Sequence, residues 1–189
     1  MYDSIIRPAR RKITVDVAGI GGAVVMAACA ALAVYRWQAS GYLFFALMAL
    51  RDFLVCSLLL VRRAPRATGG TRDIVLAYAS SFLVFLYQSA PTGVGATGYV
   101  TANTLFVVGF LLATLATLEL GDRMGVSPAK RGVICNTGVY RMLKHPMYTG
   151  YIVAEVGWIL LNPINAVIFV FSILGYWLRM RAENRVLNS

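Results

Sequence analysis

Histidine occurs once in the 189 residues, cysteine three times, and charged residues make up only 14 %. A lone histidine, His145, beside Cys29, Cys56 and Cys135 in no paired spacing, argues against a metal cluster and against a disulfide framework. Acidic residues are scarcer still: 8 Asp and Glu against 18 Lys and Arg, a net charge of +10. With 59 % hydrophobic residues, the composition departs from that of a soluble domain in both apolar and charged content. An integral membrane protein is the first expectation.

The apolar residues fall into runs. Residues 13–35 follow a basic segment ending RPARRK, and the run exceeds the ~7–15 residues of a signal-peptide core. It therefore reads as a first transmembrane helix. Tyr42 to Val61 matches the ~20 residues needed to cross a bilayer. Ile74 to Ala90 and Thr101 to Leu120 supply a third and a fourth span, and two shorter runs, Met147–Leu161 and Ile164–Leu178, form a helical hairpin about Asn162-Pro163. The expected architecture is all-α integral membrane. Four transmembrane helices (residues 1–120) precede a long cytoplasmic loop, the hairpin and a final helix end (residues 121–189). No internal repeat is evident.

Charge placement orients this scheme. With the amino terminus inside, every cation except Arg36 and Arg51 lies on the cytoplasmic side, including Arg7, Arg10, Arg11, Lys12 and the loops 62–72 and 121–145. That is the positive-inside pattern, so the basic balance needs no nucleic acid partner. Both termini are expected in the cytoplasm. Arg51, Asp52 and Glu155 fall inside apolar runs, where ions are costly and need partners. Neighbours on a helix do not face each other, so Arg51 and Asp52 are not expected to pair. A buried Arg51–Glu155 pair is expected instead.

One polar stretch differs from the rest: Thr137 to Tyr151, TGVYRMLKHPMYTGY. Pro146 suits the first turn of a helix and keeps His145 out of it. The amides of that first turn then offer an anion-binding end at the inner surface. Gly138 and Gly150 allow close backbone approach, and Tyr140, Tyr148 and Tyr151 add rings and hydroxyls. On residue types alone the stretch is equally an interfacial loop with a capping histidine and anchoring tyrosines.

The order LGDRMGVSPAKRGVICNTGVYRMLKHPMYTGY, then a hairpin, then RMRAENRVL, resembles the isoprenylcysteine carboxyl methyltransferase family and its prokaryotic relatives. Phospholipid methyltransferases are more distant members of the group. The resemblance covers residues 118–187 and implies a membrane enzyme of a prokaryotic inner membrane. Such an enzyme takes S-adenosylmethionine from the cytoplasm and a lipophilic acceptor from the membrane lipid. It implies cofactor binding by Gly138, Tyr140, Lys144, His145, Pro146, Tyr148, Gly150 and Glu183, and catalytic roles for Arg179, Glu183 and His145. Arg179 would orient an acceptor carboxylate, while an amine acceptor would need His145 or a carboxylate as base.

Two departures stand out. Glu183-Asn184 replaces the family's consecutive glutamates, and the chain stops at Ser189 where relatives continue. Weak or absent activity is the expectation if that tail closes the pocket. Outside the resemblance, a small transporter or structural membrane protein is the alternative, and a nicotinamide-dependent membrane reductase is a lesser one. Oligomeric state and acceptor identity stay open.

Overall fold

The computed structural model describes residues 16–188, and the basic run Arg7 to Lys12 lies outside the described residues. Helix α1 (Val17–Ser40) starts at Asp16, whose carboxylate accepts the Gly19 amide at 2.8 Å, satisfying one open donor of the first turn. It pairs with α2 (Leu43–Val61) as a tight hairpin. A third long apolar helix, α4 (Ala96–Leu120), completes the set. These three are long and apolar enough to cross a membrane.

The third expected span, Ile74 to Ala90, takes a different form. It begins as α3 (Thr71–Phe82), 12 residues long, which rises only ~18 Å at 1.5 Å per residue. The chain then tightens into a 3₁₀ turn at Leu83–Leu86. The cause is a set of side chains that claim the backbone beyond it. Arg36 donates to the carbonyls of Phe85 and Tyr87, and Asn165 brackets Gln88 by accepting its amide and donating to its carbonyl. An α-helix cannot continue once those groups are bonded elsewhere. The outlying cation Arg36 thus has a structural task at this end of the bundle.

At the opposite end the two cationic loops are joined. Strands β1 (Ala67–Thr68) and β2 (Ala129–Lys130) pair antiparallel, with Ala67 opposite Lys130 and Thr68 opposite Ala129. Arg62 binds Asp16 at 2.6 Å, Arg63 binds Asp122 at 2.6 Å, and Arg185 reaches Asp73 at 2.9 Å. The start of α1, both basic loops and the end of the last helix therefore share one cationic face.

The expected hairpin is present as α6 (Pro146–Leu161) and α7 (Asn165–Asn188), preceded by the short α5 (Gly138–Met142). Its second arm runs 24 residues without a break, well past Leu178. Helix α6 lies directly on α4: a Cβ on Gly150 would stand 2.5 Å from the Gly109 carbonyl oxygen and 2.8 Å from the Ala113 amide. Only a glycine lets the backbones come so close, as small residues do between membrane helices. Beyond this contact Trp158 is fully buried among Phe44, Phe45, Phe106 and Tyr87.

The intramembrane charges correct two expectations. Arg51 and Asp52 do meet, with Nη2 2.9 Å from Oδ1. Facing rules describe where side chains leave a helix, and a long arginine stem folds back over its own turn. The contact is misaligned, since neither Asp52 oxygen has a hydrogen bond. Glu155 does not pair with Arg51. Its oxygens accept the hydroxyls of Tyr87 and Tyr176 instead, which satisfy a buried carboxylate without a second desolvated ion.

Candidate active site

The segment that links α4 to α6, with the start of α6 and the end of α7, encloses a cavity of about 600 Å³ at the cationic end, within the range of small-molecule sites. Its wall is set up from Gly138. That residue has φ +48°, and an added Cβ there would collide with Glu119 at the end of α4. Glu119 accepts the Val139 amide with both carboxylate oxygens at 3.0 Å. This clamp fixes α5 against α4 and turns Tyr140 toward the cavity.

His145 is the N-cap residue of α6 and Pro146 occupies its first turn. The His145 ring lies 5.9 Å from the Tyr148 ring, and Nδ1 is 3.6 Å from Glu183. Burial holds the imidazole below its ordinary value of 6.5; Glu183 pulls it up, and the Lys144 charge presses it further down. The ring is therefore neutral at pH 7. Its approach to Glu183 is neither an ion pair nor, at that length, a hydrogen bond. Nε2 is buried and has no hydrogen-bond partner.

Tyr148 joins the two halves of the site. Its hydroxyl donates to Glu183, and its ring lies 5.3 Å beneath the Arg179 guanidinium. Arg179 and Glu183 are one helical turn apart on α7 yet serve different spaces. Glu183 borders the large cavity. Arg179 points inward, donating to the Val126 carbonyl at 3.1 Å and to the Ser81 hydroxyl at 3.3 Å. There it borders a second, interior cavity of about 50 Å³, together with Arg51, Tyr151, Glu155 and Tyr176. Met147 and Tyr148 line both cavities.

Of the residues singled out in sequence, Tyr140, Lys144, His145, Tyr148 and Glu183 border the large cavity. Pro146 is buried below it. Gly138 and Gly150 stand at helix contacts, and Arg179 at the inner cavity. Sequence reasoning missed Arg131, which is buried on the cavity wall and held down to about 10 by burial and by the neighbouring Arg62 charge. It also missed the clamp residue Glu119. In sequence Arg131 is one cation in a basic run, and only the β1–β2 pairing buries it. Asn136 and Asn184 also line the cavity.

Residues 101–189 match the model of the isoprenylcysteine carboxyl methyltransferase (ICMT) family. That region belongs to the family. Comparison with curated proteins and with solved structures gives no match. The ICMT region begins in α4 and takes in every residue singled out for the site; α1, α2 and α3, with Arg51, lie before it. The matched family is one of methyltransferases, and the chain's long apolar helices mark it as a membrane protein.

Proposed function

We propose that the chain transfers a methyl group from S-adenosylmethionine, held in the large cavity on the cytoplasmic side, to a lipophilic carboxylate from the bilayer. The observation that carries this reading is the Tyr148 partition, with a large cavity lined by the loop at the cationic end and a small one lined mostly by helix residues.

The residues present fit the cofactor. Glu183 supplies an acceptor for an ammonium or ribose hydroxyls, and buried Arg131 with Lys144 supplies cations for a carboxylate. Tyr140 and the orphaned His145 Nε2 provide a ring face and a free polar atom for a base. When bound, the cofactor brings an electrophilic methyl group on a sulfonium. Tyr148 holds Glu183 in place, and the packed tyrosines 148, 151 and 176 keep water from the partition.

Among the charged side chains that line the inner cavity, the unused hydrogen-bonding capacity is donor. Arg51 Nε and Arg179 Nε have no partner, whereas both Glu155 oxygens are taken by tyrosines. Two guanidiniums with unused donors favour a carboxylate over an amine. A carboxylate acceptor is already an anion, so alignment and exclusion of water do most of the work.

The test is calorimetric binding of S-adenosylhomocysteine to the purified protein, with Glu183→Ala and His145→Ala. Micromolar binding weakened at least tenfold by Glu183→Ala is expected. No binding, or tight binding indifferent to both changes, rejects the site.

A further inference from the structure

The rim of the large cavity carries an apolar surface that nothing among the described residues covers. Val133 and Met142 are 83 % and 84 % exposed, and Ile134 beside them is 56 % exposed. Exposed apolar side chains gathered on one cavity wall mark a contact surface rather than a solvated loop. Its height is fixed by the chain. The patch lies between the end of α4 at Leu120 and the start of α6 at Pro146, both at the cationic end of the bundle.

Charge selects what covers it. Arg141 and Lys144 flank Met142 and Leu143, are exposed, and form no ion pair among the described residues. The other candidate covers carry the same sign. Residues 1–12 hold Arg7, Arg10, Arg11 and Lys12, and a second copy would bring the same cationic rim. An apolar patch flanked by cations that form no ion pair among the described residues, at the height of a membrane surface, suits the anionic headgroup layer of a leaflet.

We propose that this rim is a lipid-binding surface, with Val133, Ile134 and Met142 at the acyl boundary of an anionic leaflet. Arg141 sits at the lipid phosphates. The inference is independent of what the cavity binds.

The experiment places a benzophenone amino acid at Met142, and separately at Val133, in the full chain. Each protein is reconstituted in nanodiscs of phosphatidylglycerol or of phosphatidylcholine, and Leu111 on the exposed side of α4 serves as lipid-facing control. Lipid adducts at both positions, several-fold more abundant in phosphatidylglycerol, are expected. Arg141→Gln is expected to reduce that preference about fivefold, the worth of one cation at an anionic surface. Adducts to a second chain or to residues 1–15, or equal yields in both lipids, overturn the proposal. S-adenosylhomocysteine affinity, measured on the same samples, reports separately on the proposed function.

Discussion

Tyr148 donates its hydroxyl to Glu183 while its ring supports the Arg179 guanidinium. One α6 side chain thereby connects two α7 residues that point into separate cavities. Tyr148→Phe keeps the ring and deletes only the hydroxyl. A hydrogen bond to a charged group is worth ~1.5–3 kcal/mol, so S-adenosylhomocysteine affinity should fall about tenfold. Calorimetry on the folded variant measures it. An unchanged affinity would show that Glu183 is held without Tyr148.

Acid should destabilise the protein through His145. Its folded value lies below 6.5, chiefly because burial disfavours the imidazolium. The unfolded chain therefore binds the proton first as pH falls. Stability from this residue is level above the unfolded value, declines as pH drops through 6.5, and levels off below the folded value. Thermal unfolding between pH 5 and 8 should show that decline in the parent chain. His145→Gln, which does not titrate, should flatten it.

Acid also acts through Asp16 at a lower pH, with the same sign but a different cause. Hydrogen bonding from Arg62 outweighs burial and holds the Asp16 carboxyl below 3.8. Its contribution is complete above the unfolded value and is lost as pH falls through the folded one. Asp16→Asn should remove that loss and leave the His145 decline intact, as unfolding scans from pH 2.5 upward would reveal.

The α4–α6 contact should fail when Gly150 gains a side chain. A Cβ would stand 2.5 Å from the Gly109 carbonyl, and overpacking of this kind costs ~1–3 kcal/mol. Gly150→Val should lower the detergent unfolding midpoint clearly more than Gly21→Val, where no atom lies within 4 Å of the added Cβ.

Glu155 separates structure from chemistry. Two tyrosine hydroxyls saturate it, and it does not border the large cavity. Glu155→Leu should leave both hydroxyls buried without their partner, at a cost of ~1–3 kcal/mol each. Cofactor-analogue affinity of the remaining folded protein should be unchanged. Melting and calorimetry on one preparation distinguish the two.

Much was determined by the sequence alone. Apolar runs long enough to cross a membrane are local properties, so α1, α2 and α4 were legible, as was the break at His145-Pro146 that begins α6. The family order from α4 onward is likewise written in sequence. The failures share a cause. The shortness of α3 comes from Arg36 and Asn165, residues distant in sequence that take its backbone partners. Periodicity cannot anticipate such competition.

Side-chain direction was decided only in three dimensions. Arg179 and Glu183 share a helix face, yet Ser81 and Val126 draw one inward while Tyr148 holds the other at the larger cavity. Arg51 folds back onto Asp52, and Glu155 turns to tyrosines, because buried ions take whichever polar atom the packed helices bring within reach. Spacing along a chain says which residues share a face. Which of them meet is set by helices that approach one another across more than a hundred residues of sequence, as Arg185 and Asp73 do over a separation of 112.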